Sequence, residues 1–144
     1  MKPLIDLPEQ KASSRGRPRV LLVDDDPEYV DRCRSELERD GYLVDVAHDG
    51  EMALIAAHRQ VPDLIVLAML LPGIGGVEVL ETLRSSERTR AVPVLILSSS
   101  VERSLVERSR ELGAVDYLVK NLIGPADLGE QVGRWINSRE LRHG

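Results

Sequence analysis

The chain has a single cysteine, Cys33, and so cannot close an internal disulfide; this suits a reducing compartment. It has no apolar run of about eighteen residues, which excludes a helical membrane span read from the sequence. The first ten residues, MKPLIDLPEQ, carry Asp6 and Glu9 and lack the long apolar stretch of a secretory signal, so the expected location is the cytoplasm. Histidine is scarce: His48, His58 and His143 stand far apart and show no metal-ligand spacing. Positive charge is not in excess, since 19 Lys and Arg against 24 Asp and Glu give a net charge of −5. Phosphate backbones are held by clustered cations, so nucleic acid is not the expected partner. Lys11, Arg15, Arg17 and Arg19 form one basic cluster before the fold, read as a solvated leader rather than a binding site.

What is present is a globular composition. The 144 residues are 42% hydrophobic, enough for one domain with a real core. Residues 1–17, rich in Pro, Lys, Ser, Arg and Gly, read as a flexible leader. Residues 18–138 form the domain and 139–144 a C-terminal tail. Short continuous apolar runs occur at Val20–Val23, Leu64–Leu67, Val94–Leu97 and Tyr117–Val119, as in parallel strands covered on both faces. Leu43–Val46, with Asp45 inside it, suits an edge strand.

Helical segments lie between them. Asp26-Pro27 is a cap followed by a first-turn proline, with Val30, Cys33 and Leu37 at helical spacing and Gly41 as the stop. Further helices are expected from Asp49 to about His58, Gly76 to Ser85, Val101 to Leu112 and Pro125 to Ser138, with Trp135 on the inward face of the last. Strands alternating with helices predict an α/β fold: a doubly wound, five-stranded parallel sheet in order 2-1-3-4-5 with five helices on its two faces. In such sheets the functional residues sit just beyond the carboxyl ends of the strands.

Those positions carry chemistry. Asp24, Asp25 and Asp26 follow the first strand; Asp26 has a capping role, and Asp24 and Asp25 remain for the strand ends. Clustered carboxylates suit a hard divalent cation such as Mg²⁺. Ser98, Ser99 and Ser100 follow the fourth strand, and Lys120 the fifth. An acidic pair, a hydroxyl and an ammonium at neighbouring strand ends make a phosphoryl-handling pocket.

From Arg19 to Ile136 the sequence resembles the CheY-like response regulator receiver family, through VLLVDDDP, PDLIVLAMLLPG, PVLILSSS and GAVDYLVK. The resemblance implies the flavodoxin-like receiver fold. It implies Mg²⁺ at Asp24 and Asp25, a phosphoryl-binding hydroxyl on Ser98, its lysine partner on Lys120, and a switch aromatic on Tyr117. It also implies protein partners, a histidine kinase or a downstream signalling protein, on the face made by the fourth helix, fifth strand and fifth helix. The phosphorylated aspartate of the family falls on Ala68, whose methyl group cannot form an acyl phosphate. The metal site loses a ligand with it and is expected to be weak. Gly75, Ser99 and Asn121 also depart from the family pattern. Asn121 replaces a proline that follows the lysine through a cis bond. A cis bond before another residue costs about 2.5–4 kcal/mol, so a trans Lys120–Asn121 peptide and a shifted loop through Gly124 are expected.

The leading expectation is a two-component receiver module that works by protein contact, without catalysis and without phosphorylation. A second is an ordinary phosphorelay regulator whose acceptor aspartate has been substituted. A third is a small phosphatase using Asp24-x-Asp26. Against it, no second acidic pair follows Lys120 and no cap domain is present. Flavin binding is disfavoured, because Asp24, Asp25 and Asp26 stand where a phosphate-cradling loop is needed.

Overall fold

The computed structural model describes residues 16–143, with side chains through residue 138. The leader expected over 1–17 falls almost wholly outside the described residues. Five strands, β1 (Arg19–Val23), β2 (Leu43–Ala47), β3 (Leu64–Leu67), β4 (Val94–Ser98) and β5 (Asp116–Val119), alternate with five helices. These are α1 (Pro27–Arg39), α2 (Gly50–Arg59), α3 (Gly76–Ser85), α4 (Arg103–Glu111) and α5 (Pro125–His143). All neighbouring strands are parallel, in the order β2-β1-β3-β4-β5. This is the expected 2-1-3-4-5 sheet.

The continuous apolar runs are explained by two cores. Successive strand residues point to opposite faces. Leu21, Val23, Ile65, Leu67, Val94 and Ile96 pack under α2 and α3. Val20, Leu22, Leu64, Val66, Leu95 and Leu97 pack under α1 and α5, against Val30, Cys33, Leu37, Leu128 and Val132. Trp135 lies partly buried against this second core, as its spacing suggested.

Helix starts follow the expected chemistry. Asp26 Oδ1 accepts from the Glu28 and Tyr29 amides, and Asp49 Oδ1 from Met52 N at 2.8 Å. Two helix boundaries differ from expectation. α4 begins at Arg103 rather than Val101, because Ser100 Oγ accepts from Glu102 N and the Ser100 carbonyl is held by Tyr117. α5 runs on to His143, taking in most of the expected tail. Residues 139–143 contain no Gly or Pro, so nothing in their sequence stops the helix before Gly144.

The amino-terminal end of the sheet is tied by a residue the sequence did not single out. Arg84, half-buried at the end of α3, donates to the carbonyls of Leu112 (2.7 Å), Val92 (2.9 Å), Arg90 (3.1 Å) and Gly113 (3.3 Å). Burial lowers the pKa of its guanidinium from the usual value. The planar fork of arginine satisfies several carbonyls at once, at the end of α4 and in the α3–β4 connection.

Cys33 is buried on α1, and loss of hydration pushes its thiol up to about 11. The native thiol is therefore expected to resist alkylation at pH 8 and to label only on unfolding. The folded pKa lies above the unfolded one, so this contribution to stability is complete below about pH 9. It is lost as pH rises toward about 11. Thiol labelling and urea melts between pH 7 and 11 check both statements.

Candidate functional site

The carboxyl ends of β1, β3, β4 and β5 meet on one edge of the sheet. β1 delivers Asp24, whose amide donates to Ala47 O at 3.1 Å and whose side chain is buried. Both carboxylate oxygens are engaged: Oδ1 accepts from Asp26 N at 3.0 Å, and Oδ2 lies 2.6 Å from Lys120 Nζ. His48, at the end of β2, donates Nδ1–H to the Asp24 carbonyl at 3.2 Å.

Lys120 follows β5 and is held from two sides. Besides Asp24, its ammonium lies 4.5 Å from the centroid of the Tyr29 ring, on the first turn of α1. Tyr29 was not anticipated from the sequence. Its place three residues after the Asp26 cap, on a turn overlooking the strand ends, is the signal that could have found it. Burial, then the neighbouring Cys33, raises its hydroxyl pKa. The Lys120–Asn121 peptide is trans, as expected, and the chain passes directly into a 3-10 turn, Lys120–Leu122, leaving Leu122 exposed.

Ala68 stands just after β3, buried, with its amide donating to Val23 O at 3.0 Å. The β3–α3 loop returns tightly over it. A Cβ on Gly76 would come within 2.4 Å of Ala68 O and 2.7 Å of Met69 Cα, so only glycine fits there. Ser98 is also buried, its Oγ accepting from Ser100 N at 3.2 Å. Tyr117 O–H donates to Ser100 O at 2.7 Å, tying β5 to the loop that begins α4.

The structure thus brings Asp24 and Lys120 into contact and sets Ala68 and Ser98 on the neighbouring strand ends. Asp25, the next residue, is exposed, while Asp24 is buried. Asp63, before β3, accepts from Arg19 N at 2.8 Å at the opposite end of the sheet. A divalent cation finds few donors here. Asp24 spends one oxygen on Lys120 and the other on a backbone amide, Ala68 offers a methyl group, and Asp25 is exposed. Among the described residues no three His, Cys, Asp or Glu side chains converge on a metal-binding point. Mg²⁺ keeps several waters and takes only one or two carboxylates from a protein; to serve as one of them Asp24 would have to give up Lys120 or the Asp26 amide.

A buried ion pair is costly to break from one side only. Lys120→Met should destabilise the domain by about 3 kcal/mol, because it strands the Asp24 carboxylate. The double variant Asp24→Asn, Lys120→Met should recover most of the loss. Urea unfolding of the unaltered chain, the two single variants Lys120→Met and Asp24→Asn, and the double variant measures the coupling.

The response regulator receiver domain family matches residues 20–132. The alkaline phosphatase synthesis transcriptional regulatory protein PhoP of Bacillus subtilis is 41% identical over 123 residues, 85% of this chain and 50% of that protein. The DNA-binding dual master transcriptional regulator RpaA of Synechocystis is 38% identical over 117 residues, 81% of this chain and 47% of that protein. The chain spans about half the length of these curated relatives. A CheY-like receiver domain protein from Methanospirillum hungatei has the same architecture, with a TM-score of 0.82 at 25% identity over 89% of this chain and 99% of that one. The parallel sheet, the acidic, hydroxyl and lysine residues at its strand ends and these matches agree: the chain belongs to the response regulator receiver domain family of two-component signalling.

Proposed function

We propose that this receiver acts through protein contact and is closed to phosphorylation, with Ala68 at the acceptor position. One observation carries the reading: the residue after β3 is a buried alanine, while the ammonium of Lys120 is already neutralised by Asp24. Phosphotransfer to a receiver forms a bond between a carboxylate oxygen and phosphorus as the bond to the donor breaks. The Ala68 side chain has no oxygen to form it. In this reading Ser98 and Lys120 are remnants of a phosphoryl pocket, Asp24 and Asp25 a weakened Mg²⁺ site, and Tyr117 the switch aromatic. The response regulator Rcp1 is known in a Mn²⁺-bound form; here Asp24 is the residue such an ion would have to take from Lys120.

The conformational output runs along β4 and β5. Ser98 bonds the Ser100 amide, Tyr117 bonds the Ser100 carbonyl, and Ser100 caps the approach to α4. α4 buries only Ser109 fully, so its position depends on such tethers more than on its own packing. Partners, a histidine kinase or a downstream protein, are proposed to read the α4–β5–α5 face. Support comes from the groove between β5 and α5, lined by Tyr117, Leu118, Leu122, Ile123 and Gln131. RpaA is described as DNA-binding; this chain matches half of such proteins and is acidic, so we assign it no nucleic-acid contact of its own. Among the described residues no helix is long and apolar enough to cross a membrane, and a cytoplasmic, non-enzymatic role is part of the proposal.

A second reading, an ordinary phosphorelay regulator carrying a substituted acceptor, is favoured by the retention of Ser98 and Lys120 and by the identity to PhoP. Acetyl phosphate with Mg²⁺ should leave the mass of this chain unchanged. The Ala68→Asp variant should gain a base-labile phosphoryl adduct if the rest of the pocket is competent. A stable adduct on any aspartate of the unaltered chain would overturn the proposal. An unlabelled Ala68→Asp variant would remove the second reading.

A further inference from the structure

The α2 helix presents a face that none of the described residues covers. Gly50, Ala53 and Ala57 face the sheet. At helical spacing on the opposite side stand Glu51, Met52, Ile55 and Arg59, all exposed, with Met52 at 51% and Ile55 at 49%. Isolated exposed apolar residues are ordinary on a protein surface. What distinguishes these is the order of charge around them. Glu51 lies one turn before Ile55 and Arg59 one turn after it. Neither forms an ion pair among the described residues.

The surroundings extend the pattern. The amino-terminal end of α2 is acidic, with Asp49 as its cap beside Glu51. Its carboxyl-terminal end is basic, with Arg59 and with Arg88, whose guanidinium donates to His58 O at 2.7 Å. The His58 ring stays off the face, bonded to Leu54 O and Ser86 Oγ.

We infer that this face pairs with the same face of a second copy of the chain. An isologous contact must be self-complementary under a two-fold axis. With the axis passing beside Ile55, two antiparallel α2 helices set Ile55 against Ile55. Each Glu51 then meets the other copy's Arg59, about 12 Å further along the helix at 1.5 Å per residue. Met52 of each copy flanks the central pair. A parallel arrangement would instead put like charges together, which disfavours it. Antiparallel helix dipoles add to the preference. A few side chains per copy place the contact among weak interfaces, below about 1,200 Å². The pairing uses neither the strand ends nor the α4–β5–α5 face, so it is independent of the proposal for Ala68.

Sedimentation equilibrium of the full chain up to about 1 mM tests it, with circular dichroism confirming that each variant is folded. Reversible dimerisation is expected. Ile55→Asp, Glu51→Arg and Arg59→Glu should each weaken it at least about tenfold. The double variant Glu51→Arg, Arg59→Glu should restore it, because the charges are exchanged across the axis. A chain that stays monomeric throughout, a dimer indifferent to these substitutions, or a double variant no better than the singles would each overturn the inference.

Discussion

The strand-end site rests on one buried ion pair. Asp24 is almost wholly removed from water, and an isolated carboxylate there would be expelled or protonated. Lys120, from the far side of the sheet, supplies the counter-charge at 2.6 Å, and the Tyr29 ring covers its other side. The pair therefore links β1, β5 and α1, elements distant in sequence, across the edge where receiver domains do their chemistry. A receiver with an acceptor carboxylate would have a second anion competing for the same ammonium. With Ala68 there is none, so Lys120 belongs to Asp24 alone. We propose that what is a reaction pocket elsewhere in the family serves, in this chain, as a neutralised structural node.

The node is connected to the surface through hydrogen bonds rather than bulk packing. Lys120 leads straight into the 3-10 turn that exposes Leu122, and the neighbouring β5 residue Tyr117 reaches Ser100 on the β4–α4 loop. α4 is otherwise secured by Arg84 at its end and by Arg108, which pairs with Glu81 of α3 at 2.8 Å. These exposed or half-buried polar contacts are individually modest. A helix held this way can be re-aimed by small changes at the strand ends, even when no phosphoryl group drives them.

Much of this was legible in the sequence because it depends on local pattern. Continuous apolar runs gave the strands, Asp26-Pro27 and Asp49 the helix starts, and the strand-end positions pointed to Asp24, Ser98, Lys120 and the alanine between them. What stayed hidden depends on contacts between distant segments. Arg84 is one charged residue near the end of an amphipathic helix until its four carbonyl partners from the α3–β4 and α4–β5 connections surround it. Gly76 reads as an ordinary helix-start glycine until the β3–α3 loop brings it against Ala68 and Met69. Asp25 and Asp24 look equivalent in the sequence, yet successive residues leaving a strand point in opposite directions, and only Asp24 turns inward. The last helix outran its expected stop because residues 139–143 lack any breaking residue.

We propose that the Asp24–Lys120 pair, with Ala68 on the neighbouring strand end, has taken the site out of metal and phosphoryl chemistry. Thermal melts of the chain and of its Ala68→Asp variant, with and without Mg²⁺, test this most directly. Adding a carboxylate near Asp24 crowds like charges, which penalises the ionised folded state. A cation that binds only the folded form stabilises it according to its concentration over its dissociation constant. The chain as it stands should therefore melt higher than the variant in the absence of Mg²⁺ and gain less when Mg²⁺ is added. Equal gains from Mg²⁺ in the two proteins would show that Asp24 and Asp25 suffice to hold the ion and that the site has kept its metal chemistry.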